Sequence, residues 1–338
     1  MIIDLRSDTF TKPSAEMLQY MFDAPVGDDV FGEDPTVNEL EKLCTTIFGM
    51  EAALYCPTGT MTNQIAIKCH TQPGDEIICE KLSHVYIYEG GGIAFNSGCQ
   101  VKAIEGTRGL IVDTDIIDNI NPDDVHKART SLVCLENTAN RGGGSCYDFE
   151  EIVKIKAVCK QHNLKLHLDG ARLFNAMVAK KENPLMYGEV FDSISICLSK
   201  GLGTPIGSVL LGNVAFIAKA RRVRKVFGGG MRQAGYMAAA GVYALHNNVH
   251  RLKEDHNNAK HIAEELLQKE FVGKMMPVET NIIIFEILGE NGAAAFCEKM
   301  KHYDVLCLPI SKTQVRMVTH LGVTNEMVDK LIQLIKAF

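Results

Sequence analysis

The feature that most constrains this chain is an alternation. Through its first two thirds, short apolar runs of strand length are separated by segments whose apolar residues recur at helical spacing. That is how a mostly parallel sheet covered by helices reads in sequence. The runs at 76–79, 131–135, 164–168, 193–198 and 208–211 are the candidate strands, several apolar enough to be buried on both faces. One helix opens at Asp34-Pro35, a capping acid followed by proline, with Val37, Leu40, Leu43 and Ile47 along one side. Another opens at Asp148, where Asp148 and Glu151 form a capping-box pattern ahead of Ile152, Ile155 and Val158.

From about residue 232 the pattern becomes one long helical stretch to about 269, the expected bridge between two domains. A strand at 281–287, a helix at 293–301, a strand at 314–319 and a closing helix from Thr324 then read as a small α+β unit. A chain of 338 residues is too long for one small core. The division expected is an N-terminal arm over 1–12, a large domain over 13–245 and a small C-terminal domain over 246–338. No internal repeat asks for a solenoid.

Composition narrows the function classes. The net charge of −6, with Arg221-Arg222-Val223-Arg224-Lys225 as the one basic cluster, argues against nucleic acid as a partner. No apolar stretch approaches a membrane span, and Asp4 stands where a secretion signal needs an apolar core. The eleven cysteines are odd in number, scattered from Cys44 to Cys307, and contain no CxxC pair. They read as free thiols in a reducing compartment, so a cytoplasmic protein without a metal site is expected.

Two strand ends carry the chemistry. His167-Leu168-Asp169-Gly170-Ala171-Arg172 places an acid and an arginine just past the end of a buried strand, where open α/β sheets bind ligands. Taken alone, Asp169 reads as a turn or cap residue. The next strand ends in Ser199-Lys200-Gly201-Leu202-Gly203, and 200 − 169 = 31 residues leave room for a crossover between neighbours. A lysine near an apolar mouth is suited to an imine with an aldehyde, and the glycines let backbone approach a flat ring. An acid for a pyridinium nitrogen and a lysine for an aldehyde is the pairing that pyridoxal 5′-phosphate requires. Cys56-Pro57-Thr58-Gly59-Thr60-Met61, opening a helix, offers free amides and a dipole for a phosphate. His84 follows a strand, ahead of Gly90-Gly91-Gly92; it is either an ordinary surface histidine or a group stacked on the cofactor ring.

With these residues in view, the chain resembles the low-specificity L-threonine aldolases, pyridoxal-phosphate enzymes of fold type I. The resemblance runs end to end and rests on nine ordered motifs. They are Asp4-Leu5-Arg6-Ser7-Asp8-Thr9, the stretch from Val26-Gly27-Asp28-Asp29 to Asp34-Pro35-Thr36, Gly59-Thr60-Met61, His84 with its Tyr-Glu-Gly-Gly tail, Leu135-Glu136-Asn137-Thr138, Asp169-Gly170-Ala171-Arg172, Ser199-Lys200-Gly201-Leu202-Gly203, Gly228-Gly229-Gly230-Met231-Arg232-Gln233 and Val315-Arg316-Met317-Val318-Thr319-His320.

The resemblance implies an aspartate-aminotransferase-like fold, with helices on both faces of a mostly parallel sheet. It implies Lys200 as the cofactor lysine, Asp169 at the ring nitrogen, Gly59, Thr60 and Met61 at the phosphate, and His84 over the ring. Ser7, Arg172 and Arg316 then grip the substrate carboxylate, Arg172 also facing the cofactor, and His126 stands near the substrate hydroxyl. A homodimer or homotetramer with shared sites is implied, Arg232 or Lys225 reaching a neighbour's phosphate. The activity implied is retro-aldol cleavage of L-threonine or L-allo-threonine to glycine and an aldehyde. β-Elimination on the same frame, or a silent cofactor-binding homologue, are the alternatives, since fold does not choose which bond breaks. Two departures stand out: Ala139 and Phe31, where the family often has histidine and tyrosine.

Overall fold

The chain enters as a two-residue strand, β1 (Ile3–Asp4), and then builds a central sheet. Its strands are β2 (Ala52–Cys56), β3 (Glu76–Glu80), β4 (Gln100–Ile104), β5 (Thr130–Glu136), β6 (Lys165–Gly170), β7 (Ser193–Cys197) and β8 (Ser208–Gly212). Their order across the sheet is β2-β8-β7-β6-β5-β3-β4, with β8 antiparallel to both neighbours and the other pairs parallel. The computed structural model describes residues 2–289 and 292–338. Of the expected arm and small domain, Met1, Glu290 and Asn291 lie outside the described residues.

All five expected strands are present in the central sheet. The strands not foreseen there are its two edges. β4 alternates polar Gln100 and Lys102 with Val101 and Ala103, because an edge strand keeps one face wet and shows no apolar run. β2 is short, with two alanines among its five residues, and lacks the β-branched signature.

Two local expectations are corrected. Asp148 caps the helix Phe149–Gln161 by position only; its side chain makes no capping hydrogen bond. Glu151 instead accepts from the Asp113 amide at 2.9 Å and from Lys154 Nζ at 3.1 Å, so both arms of the capping box are missing. The long bridging helix is two helices, Gly235–Asn247 and Leu252–Leu266. Asn248 breaks it by donating its side-chain amide to the Leu202 carbonyl at 2.8 Å, which ties the break to the glycine turn after Lys200.

The C-terminal part adds β9 (Val272–Met275), β10 (Ile282–Ile287), β11 (Val305–Leu306), β12 (Leu308–Pro309) and β13 (Gln314–Val318). Four of them form an antiparallel sheet in the order β12-β13-β10-β9, while β11 pairs in parallel with β1. Ile3 and Leu5 therefore bury with Phe285, Met317 and Leu331 in a C-terminal core. A separate large core runs from Met17 to Leu252 around the central sheet. The N-terminal segment leaves β1 at the border of the two cores and carries Ser7 and Asp8 to the carboxyl ends of β5, β6 and β7, the ligand edge of such a sheet.

Candidate active site

Parallel register places Glu136 beside Asp169 and Asp169 beside Ser195. Asp169 is buried, and its Oδ1 accepts the Ala171 amide at 3.1 Å while Oδ2 accepts Asn63 Nδ2 at 2.9 Å. Among the described residues it forms no salt bridge. A buried carboxylate without a cation is costly, so this position suits a cationic ring atom.

Lys200 stands half-buried on the turn beyond β7, which Gly203 closes with φ +81° and a hydrogen bond from its amide to the Lys200 carbonyl at 2.9 Å. It lines a cleft of about 330 Å³ together with Ser7, His84, Glu136, Arg172 and Arg316. His84 begins a single helical turn after β3, and its Nδ1 lies 3.0 Å from Oε1 of buried Glu89. Glu89 is held in turn by the side-chain amides of Asn63 and Gln64, at 2.9 and 2.7 Å. Side-chain atoms of His84, Glu89 and Asp169 converge within 4.8 Å of one another. Burial opposes the charge of His84, but the hydrogen bond to Glu89 and the charges of Asp169 and Glu89 outweigh it and raise its pKa.

The expected carboxylate group resolves into two unlike arginines. Arg172 is already neutralised: its Nε and Nη2 donate to the two oxygens of Asp8 at 2.7 and 2.6 Å, both side chains being buried. Among the described residues Arg316 has no acidic partner. Its Nη2 donates to Asn140 Oδ1 at 2.8 Å and its Nη1 to the Arg6 carbonyl at 3.3 Å, and its Nε bonds nothing. Burial, and then the nearby charge of Arg172, pull its pKa down to about 10. Such a guanidinium has room and reason to take a carboxylate. Ser7 lines the same cleft, its Oγ 3.4 Å from Asp8 Oδ1.

Gly59, Thr60 and Met61 form the first turn of the helix Gly59–His70, whose cap Thr58 accepts the Met61 amide at 3.1 Å. The first amides of a helix have no intrahelical acceptor, which suits a phosphate, although these residues do not line the cleft itself. Met61 packs its sulfur against Gly229. Arg232 points elsewhere, to Asp28 Oδ2 at 2.9 Å, with over half its side chain exposed.

His126 is not brought to the cleft. It sits in a turn with its side chain 87% exposed and its Nδ1 2.9 Å from Asp124 Oδ1, because the segment between the helix Asp113–Ile117 and β5 runs over the surface. Three acids of the 26–36 motif serve the fold. Asp28 holds Arg232, Asp29 holds buried Arg224 at 2.7 Å, and Asp34 caps the helix Pro35–Phe48. Ala139 is buried against Gly109, and Phe31 is mostly exposed.

Residue-by-residue reading missed two members of the site. Asp8 neutralises Arg172 from far away in sequence. Glu136 ends β5 and binds two loops at once, accepting the His84 amide at 2.7 Å and the Asn140 amide at 2.9 Å. Burial, and then the charge of Asp169, push its pKa up to about 7. Its signal in sequence was an acid closing an otherwise apolar run, in register with Asp169.

Comparison with known proteins shows the family. The family of beta-eliminating lyases matches residues 4–288. The low specificity L-threonine aldolase of Escherichia coli (strain K12) is 45% identical over 340 residues, covering 100% of this chain and 99% of that protein. A probable low-specificity L-threonine aldolase 2 of Arabidopsis thaliana is 41% identical over 98% of this chain and 95% of its own length. Among solved structures, a threonine aldolase of Leishmania major superposes with a TM-score of 0.86 at 20% identity, covering 99% of each chain.

Proposed function

The chain belongs to the low-specificity L-threonine aldolases, within the beta-eliminating lyase family, and from that premise we propose that it is an aldehyde-lyase. It cleaves L-threonine, L-allo-threonine and related β-hydroxy-α-amino acids to glycine and an aldehyde. The observation that carries the reading is a buried carboxylate and a buried guanidinium without ion pairs. Among the described residues neither Asp169 nor Arg316 forms a salt bridge, and Lys200 opens into the same cleft as Arg316.

Pyridoxal 5′-phosphate, when bound, supplies the electron sink for the pair released as the Cα–Cβ bond breaks. The donor set fits it. Lys200 would hold it covalently, Asp169 would face the ring nitrogen, His84 with Arg172 would face the ring, and the helix start at Gly59, Thr60 and Met61 would take the phosphate. Arg316, with Ser7, fixes the substrate carboxylate and so sets which Cα bond stands in line for cleavage. The Nδ1 of His84 is engaged by Glu89, which leaves Nε2 to take the β-hydroxyl proton. Glu136, titrating near neutrality in the same lining, fixes the His84 loop to the loop that holds Arg316.

The assembly proposed is a homodimer or homotetramer with shared sites, Arg232 or Lys225 facing a neighbour's phosphate. Exposed Phe22, Phe31, Phe95, Val125 and Val226 support it as buried-interface candidates. A cytoplasmic setting is supported by eleven free cysteines. Among the described residues, no helix is long and apolar enough to cross a membrane.

The test is product analysis with the four threonine stereoisomers. Equimolar aldehyde and glycine from the L isomers support the aldolase. Ammonia with a keto acid points to β-elimination, and a yellow protein that turns over neither points to a silent homologue.

A further inference from the structure

Behind Asp169 runs a chain of buried polar side chains that the chemistry above leaves unused. Its placement follows from two periodicities. Asn63 and His70 are seven residues apart on the helix Gly59–His70 and so share a face, while His167 and Asp169 are two apart on β6 and share a face of the sheet. Register sets Ser193 of β7 beside His167. The distances are 2.8 Å from His70 Nε2 to Ser193 Oγ, 2.8 Å from Ser193 Oγ to His167 Nδ1, 3.1 Å from His167 Nε2 to Asn63 Oδ1, and 2.9 Å from Asn63 Nδ2 to Asp169 Oδ2. Asn63, His167 and Ser193 are buried, and His70 is half-buried and stacked on Phe216 at 4.5 Å between centroids.

The proton positions in this chain follow from its far end. Asn63 Nδ2 touches two carboxylates, Asp169 and Glu89, each at 2.9 Å, so both of its hydrogens are donated to them. Its Oδ1 therefore faces His167, and His167 Nε2 must carry a proton to bond it. Burial, and then the neighbouring His70, push the pKa of His167 down to about 3, so the ring is neutral and its Nδ1 accepts from Ser193. The Ser193 oxygen then accepts from His70 Nε2. Burial likewise takes His70 down to about 4, which leaves it neutral with its proton on that nitrogen. Every bond donates in one direction, toward Asp169.

We propose that His70, Ser193, His167 and Asn63 form a one-way hydrogen-bond relay that fixes Asp169 and stabilises the negative charge it presents to the cofactor's ring nitrogen. Asn63 and His167 are thereby positioning residues for the reaction. Aligned donors in a water-poor interior polarise one another and favour an anion at their accepting end. The donors also offset the crowding of Asp169 with Glu89 and Glu136, two further carboxylates on the same edge. This rests on the reading of Asp169 as the ring-nitrogen partner.

The test uses holoenzyme. Long-range ¹H–¹⁵N correlation should find His167 neutral and protonated on Nε2 from about pH 5 to about pH 9; a Nδ1–H tautomer, or a charged ring, overturns the relay. With ¹⁵N in the cofactor ring, His167→Leu should move the ring-nitrogen resonance toward its unprotonated position and lower kcat/KM about tenfold to hundredfold. His167→Gln, which keeps a donor for Asn63, should restore both. Asp169→Asn separates the two readings. If Asp169→Asn shifts the ring nitrogen and His167→Leu does not, the relay fails while the role of Asp169 stands. If Asp169→Asn shifts nothing, the Asp169 reading fails and takes the relay with it.

Discussion

Arg172 and Asp8, 164 residues apart, form a buried two-point ion pair, with Nε and Nη2 at 2.7 and 2.6 Å from the two carboxylate oxygens. The pair fastens the N-terminal segment to the end of β6 and leaves Arg316, among the described residues, as a cleft guanidinium without an acidic partner. Asp8→Asn should therefore act first on stability, by about 3–5 kcal/mol, because it strands a buried charge. Urea unfolding checks it.

The same pair has a sign in pH. Burial raises the pKa of Asp8, but the charge and hydrogen bonds of Arg172 overcome it and hold the carboxyl well below its ordinary 3.8. A carboxylate depressed in the folded state stabilises the fold at pH above its unfolded value, and loses that contribution as pH falls through the folded value. Melting temperatures recorded on the acid side should drop with falling pH below about 4, less steeply in Asp8→Asn than in the wild type.

Arg316→Ala should act on substrate rather than on the fold. Loss of a charge-assisted contact to a carboxylate amounts to about 1.5–3 kcal/mol, or about tenfold to hundredfold in kcat/KM, carried mostly by KM. Steady-state kinetics on L-threonine beside a thermal melt distinguish the two effects. A large fall in melting temperature with KM unchanged would assign Arg316 to structure.

Lys200→Ala should abolish aldehyde release and the covalent cofactor link together. Borohydride reduction followed by denaturation should leave the cofactor on the peptide containing Lys200 in the wild type and on none in the variant. Turnover by the variant at the wild-type rate would reject the covalent role.

Glu136 gives a prediction of opposite sign to Asp8. Its pKa is pushed from 4.5 up to about 7 by burial and then by Asp169, so the contribution of its protonated form is complete below pH 4.5 and is lost as pH rises through 7. Glu136→Gln mimics the protonated form. The stability difference, variant minus wild type, should become more positive between pH 5 and pH 8, by about 1.36 kcal/mol for each pKa unit traversed. Thermal melts at the two pH values measure it, and a difference independent of pH would show that Glu136 does not titrate in this range.

The legibility of the site followed the physics of each residue. Asp169 and Lys200 stood at the ends of buried apolar runs, where a charged residue is conspicuous and the sheet topology gives it meaning. The edge strand β4 was hidden because a half-exposed strand carries no apolar run, and β2, though buried, because its short Ala-Ala-Leu-Tyr-Cys run lacks β-branched residues. The helix break at Asn248 was hidden because its cause is a carbonyl 46 residues away, at Leu202. His126 reads in sequence like any motif histidine, and only its placement in an exposed turn shows that this chain does not bring it to the cleft.

By itself the sequence determined the layered α/β class, the lysine and acid at neighbouring strand ends, and the family, because periodicity and local motifs are written in consecutive residues. Tertiary structure alone decided which arginine is already neutralised, that Glu136 fastens two loops, and that the donors behind Asp169 all point one way. Each depends on at least one partner between 26 and 164 residues away, and charge compensation and hydrogen-bond direction exist only once such groups share a buried space.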